Sequence, residues 1–283
     1  MAHRPLLTNA ARPATFVVEA RDETGQAVPT PIAGEHPLTL YVDKREVITM
    51  MTLGAAPEAL ALGFLRNQRL VGSIEDIVSV QVDWEVNAVA VTTRHGLADL
   101  EAKTARRTAT TGCGQGTVFG DLMEDLGSIR LRGDVRLGEE TLFALLNQVR
   151  LHESIYKQSG AVHGCALAAG DRILKFVEDV GRHNAVDAIA GWMWLEGVDG
   201  GDKVFYTTGR LTSEMVIKAA QMGIPILVSR SGLTKMGHDI ARQVGITMIG
   251  RAMNRRYLLF TGEERLVRAP GAGAPAPQAA IDA

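Results

Sequence analysis

Between residues 203 and 250 short apolar runs alternate with amphipathic ones, in the order "KVFYTT", "TSEMVIKAAQMG", "IPILVS", "KMGHDIARQVG" and "ITMIG". A strand–helix–strand–helix–strand rhythm of this kind favours a largely parallel sheet joined by right-handed crossovers. Gly223 closes the first of these helices in a C′ role. In such sheets ligands sit beyond the carboxyl ends of the strands. Those ends carry "TTGR" at 207–210, "SRSG" at 229–232 and "GRAMNRR" at 250–256, so Arg210, Arg230, Arg251, Arg255 and Arg256 crowd one rim.

Arginine beside glycine at strand ends suits phosphate, because the guanidinium fork pairs oxygens bidentately and glycine lets backbone N–H groups approach. The helix N-termini after Arg210 and Ser231 add favourable dipole ends. Any one of these arginines also reads as a solvated charge or a surface ion pair; their recurrence at equivalent strand ends favours an anionic ligand such as a nucleotide. The chain has neither a P-loop nor a G-x-G-x-x-G pattern at a strand–helix junction. A further polar stretch, "EDVGRHNAVD" at 178–187, places Asp179, Arg182 and His183 around Gly181 directly before a helix, where they can face a ligand. His183 reads rather as a part-buried histidine bonded to backbone than as a directly catalytic one. His163 and Cys165, in the apolar run "GAVHGCALA", read as structural.

The remainder divides by composition. Residues 1–15 mix Arg, Pro and Ala without a period, and 269–283 are rich in Pro, Gly and Ala, so both read as disordered tails. A smaller α/β region covers 16–130. In it "HPLTLYVDKREVITMMT" reads as a hairpin about "DKRE", Pro57 opens the helix "PEALALGFLRNQRL", and "IVSVQVDWEVNAVAVTT" returns to strand with a turn near Asn87. A short helix is expected over "TVFGDLMEDLG". The second region, 131–268, begins with an amphipathic helix over "TLFALLNQVRLHESIY". There follow a strand pair over "AVHGCALAA" and "RILKFVEDV", and a helix over "NAVDAIAGWMWLEG" with Asn184 as N-cap.

Cysteine carries the second signal. The chain has 2, and Cys113 lies in "TTGCGQGT" just after the basic run "KTARRT". Glycine-rich polar loops gain little from burial, so 104–117 is expected to be mobile. Lys103, Arg106 and Arg107, with a helix N-terminus expected near Thr117, favour the thiolate over a thiol whose ordinary pKa is about 8.5. A reactive thiol on a mobile loop suits a sulfur or acyl carrier better than a nucleophile fixed against a histidine. Two cysteines make no disulfide framework, and "CGQG" offers no zinc-ligand pair. A net charge of −2 excludes a global basic field for nucleic acid or anionic membrane. No apolar run approaches the roughly 18 residues of a membrane span, and the amino terminus lacks a secretory pattern, so a cytoplasmic protein is expected.

The ordered set "RRTATTGCG", "GAVHGCALA", "EDVGRHNAVDAIAG", "TTGRLTSEMVIKAA", "GIPILVSRSG" and "ITMIGRAMNRRYLLFTGEER" resembles the FdhD family, sulfur carriers required for formate dehydrogenase activity. The resemblance runs from about residue 35 to 266. It implies a cytidine-deaminase-like, three-layer α/β domain preceded by a smaller α/β region, assembled as a homodimer. It implies sulfur accepted from a cysteine desulfurase as a persulfide on Cys113. The sulfur would then pass to the molybdenum (or tungsten) bis(molybdopterin guanine dinucleotide) cofactor, a bound substrate that GDP would mimic. Arg251, Ala252, Met253, Asn254, Arg255 and Arg256 match the family's cofactor-binding stretch, and Arg210, Arg230, Arg182 and His183 are expected beside it. Many members carry C-x-x-C in the loop, whereas Gly116 stands at the second position here. That departure supports the rival reading, a chaperone that delivers the cofactor without thiol chemistry. A cysteine-nucleophile hydrolase would instead need His163 or His183 beside Cys113.

Overall fold

The structure, a computed structural model, describes residues 3–96, 108–109, 116–117 and 125–268. Its amino-terminal part holds β1 (Leu6–Leu7), β2 (Thr15–Arg21), β3 (Ala27–Ala33), β4 (His36–Val42), β5 (Arg45–Thr52), α1 (Pro57–Asn67), β6 (Ile77–Asp83) and β7 (Ala88–Thr93). The expected hairpin is β4–β5, and Asp43 and Lys44 turn it with φ of 47° and 69°. Two successive positive φ values match the right-handed twist of the flanking strands. Pro57 opens α1 as expected, and Asn87 turns β6 into β7 with φ of 52°.

These strands make a five-stranded sheet in the order β1-β6-β7-β4-β5, and β2 with β3 forms a separate two-stranded ribbon. The expected amino-terminal tail is thus corrected over the residues described. Leu6 and Leu7 pair in parallel with Ser79 and Val80, Trp84 Nε1 donates to the Ala10 carbonyl at 2.6 Å, and the Ala10 N–H donates to Glu58. An open sheet edge offers the backbone groups that tie this segment down, a partner its own composition does not reveal.

Strands β8 (Thr108–Ala109) and β9 (Gly116–Thr117) pair antiparallel on either side of the segment containing Cys113. Cys113 itself and the tail at 269–283 lie outside the described residues, as does most of the helix expected over "TVFGDLMEDLG"; Asp125–Ser128 form a 3₁₀ turn.

The second part runs β10 (Leu137–Gly138), α2 (Glu139–Leu151), α3 (Ile155–Ser159), β11 (His163–Ala169), β12 (Arg172–Asp179), α4 (Arg182–Glu196), β13 (Val204–Thr207), α5 (Ser213–Gln221), β14 (Ile226–Ser229), α6 (Lys235–Val244), β15 (Thr247–Met253), β16 (Arg256–Thr261) and β17 (Leu266–Val267). Its six-stranded sheet has the order β12-β11-β13-β14-β15-β16. Only β13, β14 and β15 are joined as parallel neighbours; β11 opposes both of its neighbours and β16 opposes β15. The largely parallel sheet is corrected to a mixed one. Gly170 and Asp171 between β11 and β12, and Asn254 and Arg255 between β15 and β16, are too short for a crossover and can only return the chain antiparallel.

Period-two alternation buries both faces of this sheet. Cys165, Leu167, Phe205, Leu227 and Met248 belong to one core with α1, α4, α5 and α6. Ala166, Ala168, Tyr206, Val228 and Ile249 belong to a second core under Leu142, Leu145 and Leu146 of α2. The sheet therefore lies between two helical layers. Two helix limits differ from those expected. α2 stops at Leu151, and Ser154 caps a new helix by accepting from the Lys157 N–H at 3.3 Å. α4 starts at Arg182 after Gly181, and Asn184 turns inward, donating to the Met51 carbonyl at 2.6 Å and to Asp179 at 2.9 Å.

Helices α1 and α4 meet at glycine. A Cβ on Gly63 would lie 1.6 Å from the Asp187 carbonyl oxygen, and one on Gly191 would lie 1.9 Å from that of Ala59. No side chain fits either position, so the two backbones touch. Asn67 Nδ2 donates to Asp187 at 2.7 Å and Arg66 to the Ala190 carbonyl at 2.9 Å, tying the same crossing.

Candidate functional site

Buried hydroxyls shape the carboxyl ends of β13 and β14. Thr207 Oγ1 accepts from the Gly209 N–H at 3.1 Å, which folds the chain tightly past the strand. Ser229 Oγ donates to the Gly209 carbonyl at 2.7 Å and accepts from the Ser231 N–H at 2.9 Å. The Arg251 N–H donates to the Ser231 carbonyl at 2.9 Å. Three successive strand ends are pinned to one another, so "TTGR", "SRSG" and the end of β15 form one fixed rim.

Two hollows open there. One, of about 390 Å³, is lined by Tyr156, Gly160, His163, Thr208, Arg230 and Ser231 among others. The other, of about 270 Å³, is lined in part by Lys157, Phe176, Ala252, Met253 and Asn254. Tyr156, Thr208 and Arg230 line both, so they adjoin as one cleft. Together they reach the size of small-molecule sites, with polar and charged side chains set among apolar walls. Glu178 holds one wall: its carboxylate accepts from the Ile155 and Tyr156 N–H groups at 2.6 and 3.1 Å, anchoring the start of α3.

The rim arginines separate. Arg230 faces the cleft, and Arg210 and Arg251 are exposed near it, Arg251 with φ of 50°. Ala252 is buried in the α2 core, while Met253 and Asn254 line the second hollow. Arg255 points elsewhere. It is paired with Glu140 at 2.5 Å and sits 4.4 Å over the Phe143 ring. Arg256 is exposed at the start of β16, so the stretch 251–256 runs through the β15–β16 hairpin, whose turn is Asn254–Arg255.

Arg182 and His183 lie beneath this surface, 5% and 1% exposed. Arg182 runs under Gly209, where a Cβ would meet its Cδ at 2.8 Å. His183 Nε2 lies 3.4 Å from Glu214, whose Oε1 is 3.5 Å from Lys218, and Lys218 donates to Asp187 at 2.8 Å. Burial first, then the neighbouring Lys218 and Arg182, push the His183 pKa down to about 2. Asp179 binds structure: it accepts from Thr52 Oγ1 at 2.5 Å and from the Leu53 and Gly181 N–H groups, and burial raises its pKa.

His163, read from sequence as structural, lines the cleft with Nδ1 3.4 Å from Thr208 Oγ1. Burial, then Arg182 and Arg210, hold its pKa below the usual value, which keeps a neutral ring beside the arginines. Cys165 is 0% exposed, and burial pushes its thiol up to about 12. Sequence reasoning missed Tyr156 and Thr208. Thr208 stands in a quoted strand-end motif, whereas Tyr156 reaches the cleft only through the break between α2 and α3. Among the described residues no group of three His, Cys, Asp or Glu could hold a metal ion, and no helix is long and apolar enough to cross a membrane.

A mixed sheet between two helical layers, with a cleft lined by Arg230 at its parallel strand ends, defines an α/β protein. The chain belongs to the FdhD/NarQ family, whose profile matches residues 33–267. It is 30% identical over 246 residues to the sulfur carrier protein FdhD of Listeria monocytogenes (serotype 4b), covering 86% of this chain and 94% of that one. It is 28% identical over 233 residues to the sulfur carrier protein FdhD of Bacillus subtilis, covering 82% and 88%. A crystal structure described as that of a formate dehydrogenase accessory protein from Desulfotalea psychrophila superposes with a TM-score of 0.73 at 26% identity, covering 90% of this chain and 100% of that one.

Proposed function

We propose that this protein is a cytoplasmic sulfur carrier serving the maturation of a formate dehydrogenase, with Cys113 as the carrying thiol. The observation that carries the assignment is the state of the other cysteine. Cys165 is sealed in the core with its thiol pushed up to about 12, so thiol chemistry falls to Cys113, the other cysteine of the sequence. The Cys113 thiolate attacks the outer sulfur of a cysteine desulfurase persulfide. A new S–S bond forms on Cys113, the desulfurase S–S bond breaks, and the desulfurase cysteine leaves as thiolate. The Cys113 persulfide is then the sulfur donor to a molybdenum (or tungsten) bis(molybdopterin guanine dinucleotide) cofactor, held as substrate. The resemblance adds a homodimer, and the strand order and directions support a cytidine-deaminase-like layering.

The cleft supports this ligand class. A guanine nucleotide brings a flat base and phosphates, which Arg230, Thr208 and Tyr156 can take as fork, hydroxyl and ring. Arg230→Ala should weaken GDP binding about tenfold or more in calorimetric titration, the scale of one hydrogen bond to a charged group. Arg255→Ala should leave GDP binding unchanged, because Arg255 is engaged by Glu140. GDP binding that ignores Arg230 would move the ligand off this cleft.

Incubation with a desulfurase and cysteine should add the mass of one sulfur atom to Cys113 and none to Cys165, read by mass spectrometry of the intact protein and its peptides. Cys113→Ala should abolish formate dehydrogenase maturation, and Cys165→Ala should leave it intact. Full maturation by Cys113→Ala would overturn the carrier reading in favour of a chaperone without thiol chemistry.

A further inference from the structure

The ribbon β2–β3 has two unlike edges. The Gly34 N–H donates to the Ala14 carbonyl and the Asp22 N–H to the Gln26 carbonyl. These bonds bracket a ladder in which Phe16, Val18 and Ala20 pair with Ile32, Thr30 and Val28. Bonded and unbonded pairs alternate in an antiparallel ladder, so the backbone of Val17, Glu19 and Arg21 points outward, and so does that of Pro29 and Pro31 opposite. Proline has no N–H, so the outer edge of β3 cannot accept another strand. The outer edge of β2 carries its full set of donors and acceptors, beside a Val17 that is 71% exposed. The ribbon is supported on one side, where β3 contacts α3; the edge of β2 is the one left open, and an open strand edge is a pairing site.

We propose that the outer edge of β2 is where a second copy of this chain docks, pairing antiparallel with the partner's β2 into a four-stranded sheet. The occupant follows from charge and closure. A two-fold axis at Ala20 sets Glu19 opposite the partner's Arg21 and Arg21 opposite the partner's Glu19, with backbone bonds exchanged at both pairs. Opposite charges directly across a ladder stabilise it. The tip-ward half of the edge is the half that can be reached, since Ala14, Ala33 and Gly34 at the ribbon's base are part-buried or buried. Because Pro29 and Pro31 block the far edge on each copy, pairing ends at four strands, giving a closed isologous pair rather than a fibre.

The copy number rests on the homodimer proposed above; the surface rests on the ribbon alone. Sedimentation velocity of the full chain over a concentration series tests both. The wild type should dimerise. Glu19→Arg and Arg21→Glu should each raise the dimer dissociation constant about threefold or more, since each meets two like charges across the axis. The double swap should return it toward wild type. Glu19→Pro, at a position that makes no bond to β3, should abolish the dimer while far-UV circular dichroism stays unchanged. A wild-type dimer indifferent to all four variants overturns this surface and leaves the homodimer standing. A wild type monomeric throughout overturns both.

Discussion

At the scale of single residues the molecule keeps one charged cluster inside. Lys218, Asp187, Glu214 and His183 are all buried, in contact through distances of 2.8 to 3.5 Å. Removing one partner of a buried pair strands the other charge, so Lys218→Met should destabilise the fold by about 3–5 kcal/mol in denaturant titration. His183 adds a pH dependence. Its folded pKa is pushed down to about 2, whereas in an unfolded chain it titrates near 6.5. As pH falls below about 6.5, the unfolded chain takes a proton that the folded one refuses, and stability is lost by up to about 1.4 kcal/mol per pH unit. His183→Gln should therefore show a shallower loss of stability than wild type between about pH 6 and pH 4, by up to one proton's slope. Equal slopes would mean that His183 protonates in the folded state.

Among elements, the glycines of the α1–α4 crossing carry the sharpest expectation. Gly63→Ala or Gly191→Ala must push two backbones apart, so each should cost about 3 kcal/mol or more in thermal or denaturant unfolding. Ser154→Ala removes the cap that restarts the chain at α3 and should cost about 1 kcal/mol, with weaker GDP binding because Tyr156 is set by that helix. Elements bounded by local chemistry were legible in the sequence. Pro57 opens α1, Gly223 follows α5 with φ of 76°, and Asp43–Lys44 turn a hairpin. Elements bounded by distant partners were not. The amino-terminal strand depends on β6, and Asn184 reads as a cap until Met51 and Asp179 claim its amide. The site divides in the same way. Strand-end arginines show in the rhythm of the chain, but the Glu140 that engages Arg255 is 115 residues away.

Over the whole molecule, the strand ends of β13, β14 and β15 fix a cleft, while α1 and α4 fasten the five-stranded sheet to the six-stranded one. One core contains Leu38, Leu40 and Val80 of the first sheet together with Leu167, Phe205 and Leu227 of the second. The smaller amino-terminal region thus shares its interior with the larger one. That sharing has a consequence for how the chain can be cut. A protease site engineered near residue 100, between β7 and β8 in the sequence, should yield two fragments that migrate as one particle in native gel filtration and part only in denaturant. Gly63→Ala in the same cut protein should release them. Where two glycines let main chain rest on main chain, the covalent link between the halves becomes dispensable, and the seam takes over the work of the peptide bond.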